Sequence, residues 1–487
     1  MGRDRITSGQ SNGRPGPDDP SGSSDPSDLS GPSDPSGPFA PATPSESSGR
    51  RPVPVPLGPR FARMWAAATT SALGSGLSTI AAPLLVASRT SDPLTVSAAA
   101  GVAWLPWLLF ALPGGVLVDR VDRRRLMILV DWVRVAAMAV LAAAIVTGHP
   151  SISLLYTVLF VVNTGEVVFR SASQALVPAL VPRERLERAN GWLIGGVTLM
   201  QQMVAGPLGG FLFLLAASIP FFVNAGTYAA SAVLIGTVAG RYRAAPRDGG
   251  TAEDANTAGR EGTAGEERRS VRQDIGEGFR WLMRQRLLRT MAVLIGLLNL
   301  TLTAATAVLV LLARERLHLG SVGYGALFTC MAVGGVLGSV IGDRLIGWVT
   351  ATWTIRIGLL IEAGMHLALA TSRSAWFIGF ALFAFGVHGS LWGIAASSLR
   401  QRLTPPRMQG RVGSTNLFIA AGGNCVGALL GGVVAARFGI TAPYWAGFVL
   451  AILVSAATWR VFDRATVDRA YRTPAPEESN GAAGAIS

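Results

Sequence analysis

The stretch GGVLVDRVDRRRL, Gly114 to Leu126, joins two apolar runs, 96–118 and 126–147, through a short cluster of charges. Each run is long enough to cross the roughly 30 Å hydrocarbon layer of a bilayer as a helix. Two such runs with so short a charged link read as a helical hairpin whose turn lies at a membrane surface. Arg120, Arg123, Arg124 and Arg125 hold that turn on the cytoplasmic side, where basic residues collect in membrane proteins. Topology alone requires neither Asp119 nor Gly115, the glycine four residues before it.

The same pattern extends in both directions. Apolar segments of transmembrane length cover 64–87, 96–118, 126–147, 151–173, 192–216 and 220–240, then 290–313, 323–346, 351–371, 375–398, 413–436 and 442–461. Half of the 487 residues are hydrophobic and only 15% are charged, too few to coat a soluble surface. The net charge of +13 comes from arginine alone, since the chain has no lysine. Those arginines fall in clusters between apolar runs rather than along one amphipathic face, so lipid explains them better than nucleic acid. The two cysteines, Cys330 and Cys425, both lie in apolar runs and read as core residues; no metal-ligand spacing is present and no cofactor is expected.

Five regions follow. Residues 1–60 are rich in Ser, Pro, Gly and Asp and read as a disordered cytoplasmic tail, without the apolar stretch of a signal peptide. A first bundle spans 61–240 and a second 290–464, with a short disordered tail at 465–487. The linker, 241–289, ends in SVRQDIGEGFRWLMRQRLLRTM, where Ile275, Phe279, Leu282 and Met283 recur at helical spacing between arginines. That pattern predicts an amphipathic helix lying on the inner membrane surface, apolar side down. With the N-terminus inside, the inner loops take the arginine clusters, and the outer loops keep only Arg89, Arg314, Arg316, Arg373 and Arg437. Both termini are therefore expected in the cytoplasm.

The halves repeat one another. ALVPALVPRERLERANG after segment 4 and SLRQRLTPPRMQGRVGS after segment 10 each place a Pro-Arg pair in a basic loop, Pro182-Arg183 and Pro406-Arg407. GPLGG, Gly206 to Gly210, is echoed by GALLGG, Gly427 to Gly432. Duplicated six-helix halves are a common transporter plan, with the substrate site between the halves near the midplane.

On these residues the chain resembles the major facilitator superfamily. The opening stretch is similar to that family's Gly-x-x-x-Asp-Arg-x-Gly-Arg-Arg motif, appearing as Gly115, Asp119, Arg120, Arg123 and Arg124, with Asp122 where the motif has its inner glycine. ALVPALVPRERLERANG, FFVNAGTYAASAVL and DIGEGFRWLMRQRLLRTM resemble the exporter branch that contains enterobactin and macrolide efflux proteins. The resemblance covers about 64 to 464 and implies an all-α integral membrane protein, with twelve transmembrane helices in two pseudo-symmetric six-helix bundles. It also implies that Asp119 pairs with a nearby arginine and latches the cytoplasmic gate when the cavity faces outward. The competing reading is a topology signal with a static salt bridge. The second-half counterpart, GSVIGDRLIGW, keeps Asp343-Arg344 but has Ser339 in place of the glycine and no arginine run. AGPLGGF, with Gly206, Pro207, Gly209 and Gly210, is similar to an antiporter signature one residue longer, which implies export. Ordinary helix packing explains the same residues.

An ionisable group inside a membrane helix needs a partner, water or a task. Glu166 in segment 4, near Asn163 and Thr164, has Arg170 one turn away on the same face. Burial and a neighbouring arginine pull a carboxylate's proton affinity in opposite directions, which poises a proton site. A neutralised structural pair is the alternative. His388 in segment 10 is the near counterpart of Glu166 and reads either as a titrating group or as a packed histidine. Glu362 and His366 share a face of segment 9 and read as a structural pair or a contact with segment 7 or 8. Asp131 and Arg134 are expected near the cytoplasmic end, joined to Asp119. Asn163, Gln201, Asn299, Asn416 and Asn424 are candidates to line the cavity, along with Ser75, Ser78, Gln202 and Thr303.

The expectation is a secondary transporter of the cytoplasmic membrane, a monomer, exporting an amphipathic small molecule such as a drug, antibiotic or siderophore in exchange for protons. Its rivals are an importer or symporter of the same fold and a non-transporting membrane protein. No phosphate-binding loop and no lysine to serve one argue against ATP drive, and no reactive side-chain set argues for an enzyme.

Overall fold

The computed structural model describes residues 57–110, 118, 121–240, 242, 271–405 and 408–459, all within one compact unit. Gly115, Asp119, Arg120, the Pro406-Arg407 pair, both tails and the first part of the linker lie outside the described residues.

Twelve apolar helices carry the fold. In the first half they are α1 (Pro59–Ala87), α2 (Pro93–Phe110), α3 (Arg123–Val146), α4 (Ile152–Leu180), α5 (Leu186–Leu215) and α6 (Ile219–Gly236). In the second they are α7 (Arg286–Glu315), α8 (Ser321–Val349), α9 (Ala351–Thr371), α10 (Ala375–Leu403), α11 (Gln409–Phe438) and α12 (Ala442–Thr458). Eleven are long and apolar enough to cross a membrane; α12 is apolar but shorter, at 17 residues. Local chemistry sets several starts. Ser151 and Ser374 accept hydrogen bonds from the third residue onward, Leu154 N and Phe377 N, capping α4 and α10. Large apolar side chains left exposed, such as Ile194, Leu214, Val340 and Phe380, face outward where lipid would be. Trp376 at the start of α10 and Trp348 at the end of α8 are among the most exposed, one near each end of the bundle, as interfacial tryptophans are.

The helix contacts define a two-fold. In the first half α1 packs on α5 and α6, α2 on α4, and α3 on α4 and α6. In the second, α7 packs on α11 and α12, α8 on α10, and α9 on α10 and α12, the same set with every label raised by six. Between the halves α2 meets α11 and α5 meets α8, two pairs that the same operation exchanges.

The glycine stretches make these cross-half contacts. A Cβ on Gly206 or Gly210 of α5 would collide with α8 at Gly325 and Ser321, and one on Gly325 would overlap the Gly206 carbonyl. On α11, Gly432 closes on Ser97 and Pro93 of α2. Each stretch also packs its own half, Gly209 against Ile80 of α1, and Gly427 and Gly431 against Leu300 and Ala304 of α7. Arg314 of α7 adds a hydrogen bond to the carbonyl of Ala87 in α1. Gly210 with Ser321 and Gly432 with Ser97 lie toward the end of the bundle where α1 finishes and α2 begins, while the α2–α11 packing continues past Gly101 and Cys425 to Leu108 and Gly422.

Pro207 has a second effect. Its missing N–H leaves the carbonyl one turn back without a helical partner, and the preceding stretch, Leu199–Val204, winds as a π-helix. The helix is re-registered as well as bent.

The amphipathic helix forms at Val271–Arg284, but not as a free surface helix. Leu282 is fully buried in a cluster with Leu288 and Ala292 of α7 and Met408 and Val412 at the start of α11. Glu277 pairs with Arg411 at 2.8 Å. Leu282 and Met283 of its apolar stripe pack on the second bundle, and Phe279 stays half-exposed.

Asp122, the departure from the family motif, has a structural task. Its Oδ1 accepts from Arg125 N at 2.9 Å as the N-cap of α3, and its Oδ2 accepts from Tyr242 N at 3.0 Å beyond α6. Partial burial works against its charge, but the two N–H donors and the charges of Arg125 and Arg124 outweigh it, leaving the carboxyl below its usual value. Such a group stabilises the fold above its unfolded-state value, and the contribution is lost as pH falls through the folded value. Asp122→Ala should therefore cost about 1 kcal/mol near neutrality, with the gap in melting temperature from the parent closing as pH drops through the carboxylate range.

Gly325→Leu should force α5 and α8 apart. Spin labels on cysteines at the exposed Leu215 of α5 and Val322 of α8, with Cys330 and Cys425 replaced, should report a longer distance in this variant. An unchanged distance would mean the glycine contact does not hold that end shut.

Candidate functional site

Four helices of the first half converge on one buried cation. Arg134 of α3 has no solvent exposure. Its guanidinium bonds Asp131 Oδ1 at 3.1 Å, Glu166 Oε2 of α4 at 2.5 Å, and the α1 hydroxyls Ser71 Oγ at 3.0 Å and Ser75 Oγ at 2.9 Å. The ring of Tyr228 on α6 lies 3.7 Å from the guanidinium carbon, close cation–π contact. Ser75 Oγ also donates to Glu166 Oε2 at 2.8 Å and lies 3.2 Å from the Tyr228 hydroxyl. Beyond it, Asn224 of α6 donates to Ser78 of α1 at 2.5 Å. Spacing explains how α3 and α4 approach: a Cβ on Gly165 would lie 2.8 Å from Arg134 Cδ, so only glycine leaves the arginine its path.

Within this cluster Asp131 Oδ2 and Arg134 Nε are buried without a hydrogen-bond partner among the described residues. One guanidinium charge faces two carboxylates, so with both acids ionised the cluster holds a net negative charge in a medium that penalises it.

Two expectations are corrected here. Arg170 does not pair with Glu166; its guanidinium lies 5.6 Å from the ring of Trp107 on α2. Gly165 admits Arg134 from the neighbouring helix, and that contact takes the carboxylate. Asp131 and Arg134 are therefore the centre of an interior cluster with α1, α4 and α6 rather than of a cytoplasmic-end contact; the expected link to Asp119 lies outside the described residues. Of the motif arginines, Arg123 donates to Ala175 O of α4 at 3.0 Å, and Arg124 to the terminal carbonyls Ile235 O and Gly236 O of α6. They brace helix ends.

The remaining candidates stand apart from one another. His388 is buried on α10, enclosed by Gly358 of α9 and with its ring centre 6.1 Å from that of Phe385. Asn163, Asn299 and Asn416 each donate to the carbonyl four residues back on their own helix. Asn424 of α11 accepts from Thr303 of α7 at 2.6 Å. Gln201 sits in the π-helical stretch, where its carbonyl packs on Gly76 of α1. In the second half, Glu362 Oε1 lies 3.2 Å from the Thr301 hydroxyl of α7, the contact expected between segments 9 and 7. Tyr228 and Asn224 were not anticipated; the signal was two polar residues four apart inside the apolar stretch FFVNAGTYAASAVL. Among the described residues, no group of three or more His, Cys, Asp or Glu side chains is placed to hold a metal ion.

A two-fold bundle of twelve apolar helices, with a charged cluster inside one half, has the architecture of a membrane transporter. The chain belongs to the Major Facilitator Superfamily, whose family model matches residues 64–428. Macrolide efflux protein A of Streptococcus pyogenes is 30% identical over 133 residues, which is 27% of this chain and only 33% of that relative. The enterobactin exporter EntS of Escherichia coli O1:K1 / APEC is 24% identical over 409 residues, 81% of this chain and 90% of that protein. Among solved structures, a point-mutant form of the nucleoside transporter NupG superposes with a TM-score of 0.65 at 10% identity, covering 84% of this chain and all of that one. A bacterial homologue of the iron transporter ferroportin, in its inward-facing state, follows with a TM-score of 0.63 at 14% identity, over 83% and 99%. These structures share the fold.

Removing one partner from a buried ion cluster costs about 3–5 kcal/mol, because the others are left charged and unpaired. Arg134→Met should lower the detergent-solubilised melting temperature sharply, and Asp131→Asn/Arg134→Met/Glu166→Gln should recover much of the loss. A triple variant no better than the single one would mean that packing, not charge, sets the cost.

Proposed function

We propose that this transporter exports an amphipathic small molecule, such as a drug, antibiotic or siderophore, in exchange for protons by alternating access. The observation that carries the proposal is the α1–α3–α4–α6 cluster of one arginine and two carboxylates. With both acids ionised the cluster carries one excess negative charge, and a single added proton balances it. Glu166 is the entry point: its side chain keeps 13% exposure, whereas those of Arg134 and Asp131 have none. Ser75 and Tyr228, bonded to each other and through Ser75 to Glu166, connect the site to α1 and α6. His388, shut in by Gly358, is given no part in the first-half site.

Export is supported by the efflux roles named for the two relatives at sequence level. The joined end of the bundle carries the arginine-poor loops with Arg89 and Arg373, and arginine bias places such loops outside. In this reading the protein sits in the cytoplasmic membrane as a monomer with both termini inside, and its cavity opens to the cytoplasm, ready to load cargo. Two fold neighbours, the ferroportin homologue and a bacterial Spinster homologue, are described as inward-facing. Closing the cavity would bring Gly115, Asp119 and Arg120 into play as the inner latch, with Arg123 and Arg124 already anchored on α4 and α6. Helix α1 carries no charge between Trp65 and Ala87, which suits a weakly charged cargo.

Everted vesicles loaded with a pH-sensitive dye test this directly. Adding a macrolide or a siderophore to parent vesicles should release protons from an imposed gradient, and Glu166→Gln should abolish the response while remaining folded and inserted. Undiminished proton movement in Glu166→Gln would remove that residue from coupling. Loss of preloaded cargo from the vesicle lumen together with protons, driven by the same acid-inside gradient, would indicate a symporter.

A further inference from the structure

The second half holds a buried carboxyl that the first-half site does not use. Glu362 of α9 is 2% exposed, yet among the described residues no basic side chain comes within ion-pair distance. Its hydrogen-bond partner is the hydroxyl of Thr301 on α7, 3.2 Å from Oε1. That hydroxyl also lies 3.0 Å from its own helix carbonyl, Leu298 O. Thr301 has one proton for two acceptors, and the shorter contact is to the carbonyl. Both contacts are satisfied only when Glu362 brings a proton of its own and donates it to Thr301.

The one neighbour that could balance a charge is His366, one turn on and fully buried, with Nδ1 3.0 Å from Glu362 O and Nε2 3.5 Å from Thr301 O. The shorter contact uses the single N–H of a neutral ring, and the longer one is at the limit of a hydrogen bond, so the geometry does not require a cation there. Gly447 of α12 lets that ring in, since a Cβ there would overlap it. The other titratable or charged groups on helices packed against α9 have their own settings. His388 of α10 lies against Gly358, Arg316 of α7 is bonded to Ala370 O and Thr371 O, and Tyr444 of α12 and Tyr324 of α8 are buried in the apolar core.

By the two-fold, α9 answers to α3, α7 to α1 and α12 to α6, so this pair occupies the second-half counterpart of the Arg134 cluster without its cation. It also lies behind an interrupted helix. Helix α7 is interrupted at Val308, and its final segment, Leu309–Glu315, is tied to α1 through Arg314. Thr301 and Thr303 point to opposite sides, one to Glu362 and the other to Asn424 of α11.

We propose that Glu362 is a second proton site: in this conformation its carboxyl O–H donates to the Thr301 hydroxyl, and when α7 shifts away the proton passes to water and leaves the carboxylate, so that each half carries a proton through the cycle. The inference extends the proton-exchange reading of the first half but is tested without it. The full chain, purified into vesicles of mixed anionic and neutral lipid with no cargo added, is followed by infrared spectroscopy of the protonated-carboxyl C=O stretch in H2O and D2O across pH. Glu362→Gln should lose one such band, and Glu166→Gln should keep it. In the parent, that band should shift in D2O. Thr301→Val, which removes the hydroxyl without altering charge, should move the band to higher frequency and serves if Glu362→Gln fails to fold. An unchanged carboxyl region in Glu362→Gln, or in Thr301→Val where that variant alone folds, overturns the proposal. So does a Glu362 band that ignores D2O at every pH. A band lost in Glu362→Gln, with proton release undiminished in Glu166→Gln vesicles, would leave this site standing and remove the first.

Discussion

A guanidinium sealed from water inside a membrane bundle constrains everything around it. Each buried ion costs several kcal/mol unless its partners are well placed, and Arg134 obtains five of them from four helices. Those partners fix the first half as a unit. Helix α4 must present glycine at 165 to let the side chain pass, and α1 must turn serines 71 and 75 inward. Helix α6 must bring an aromatic face to 3.7 Å. None of these contacts crosses to the second half, so the cluster can ride with its own bundle while the bundles move.

The contacts that do cross are of another kind. Lipid offers no hydrophobic drive for helices to associate, so association rests on close backbone approach and a few hydrogen bonds. Gly206, Gly210 and Gly325 on one side of the two-fold, and Gly432 with Ser97 on the other, supply that approach without burying a charge pair that would have to be broken again. A transporter needs a joint that is tight in one state and inexpensive to open. Pro207 serves the same end, since the π-helical stretch it accompanies sets the direction in which Gly206 and Gly210 face.

Much of this was legible in the residues. Segment lengths and the repeated glycine stretches carried the helix count and two-fold, because apolar runs that match a bilayer leave little freedom. Glu166 was legible because a carboxylate in an apolar helix demands a reason. Its partner was not. The one-turn rule points to Arg170, whereas the real partner lies on α3, and the deciding feature is the absent side chain at Gly165. Tyr228 was missed because a tyrosine in an apolar helix reads as packing until the cation beside it is known. The amphipathic stripe of Val271–Arg284 was legible as a stripe; the packing of Leu282 on α7 and α11 and the pairing of Glu277 with Arg411 are tertiary and were not.

The scaffold is symmetric and its chemistry is not. Corresponding helices place a buried acid in each half, Asp131 on α3 and Glu362 on α9, but only the first half pairs it with a permanent cation. A cluster with a fixed positive charge tolerates ionised acids and can exchange a proton while its geometry stays braced. A lone acid held by one hydroxyl has no such brace, so a change in its charge must be answered by movement of the helix that covers it. On the proposed exchange of protons, the first half would register protonation and the second would convert it into displacement of α7, the helix whose Arg314 reaches across to Ala87 of α1.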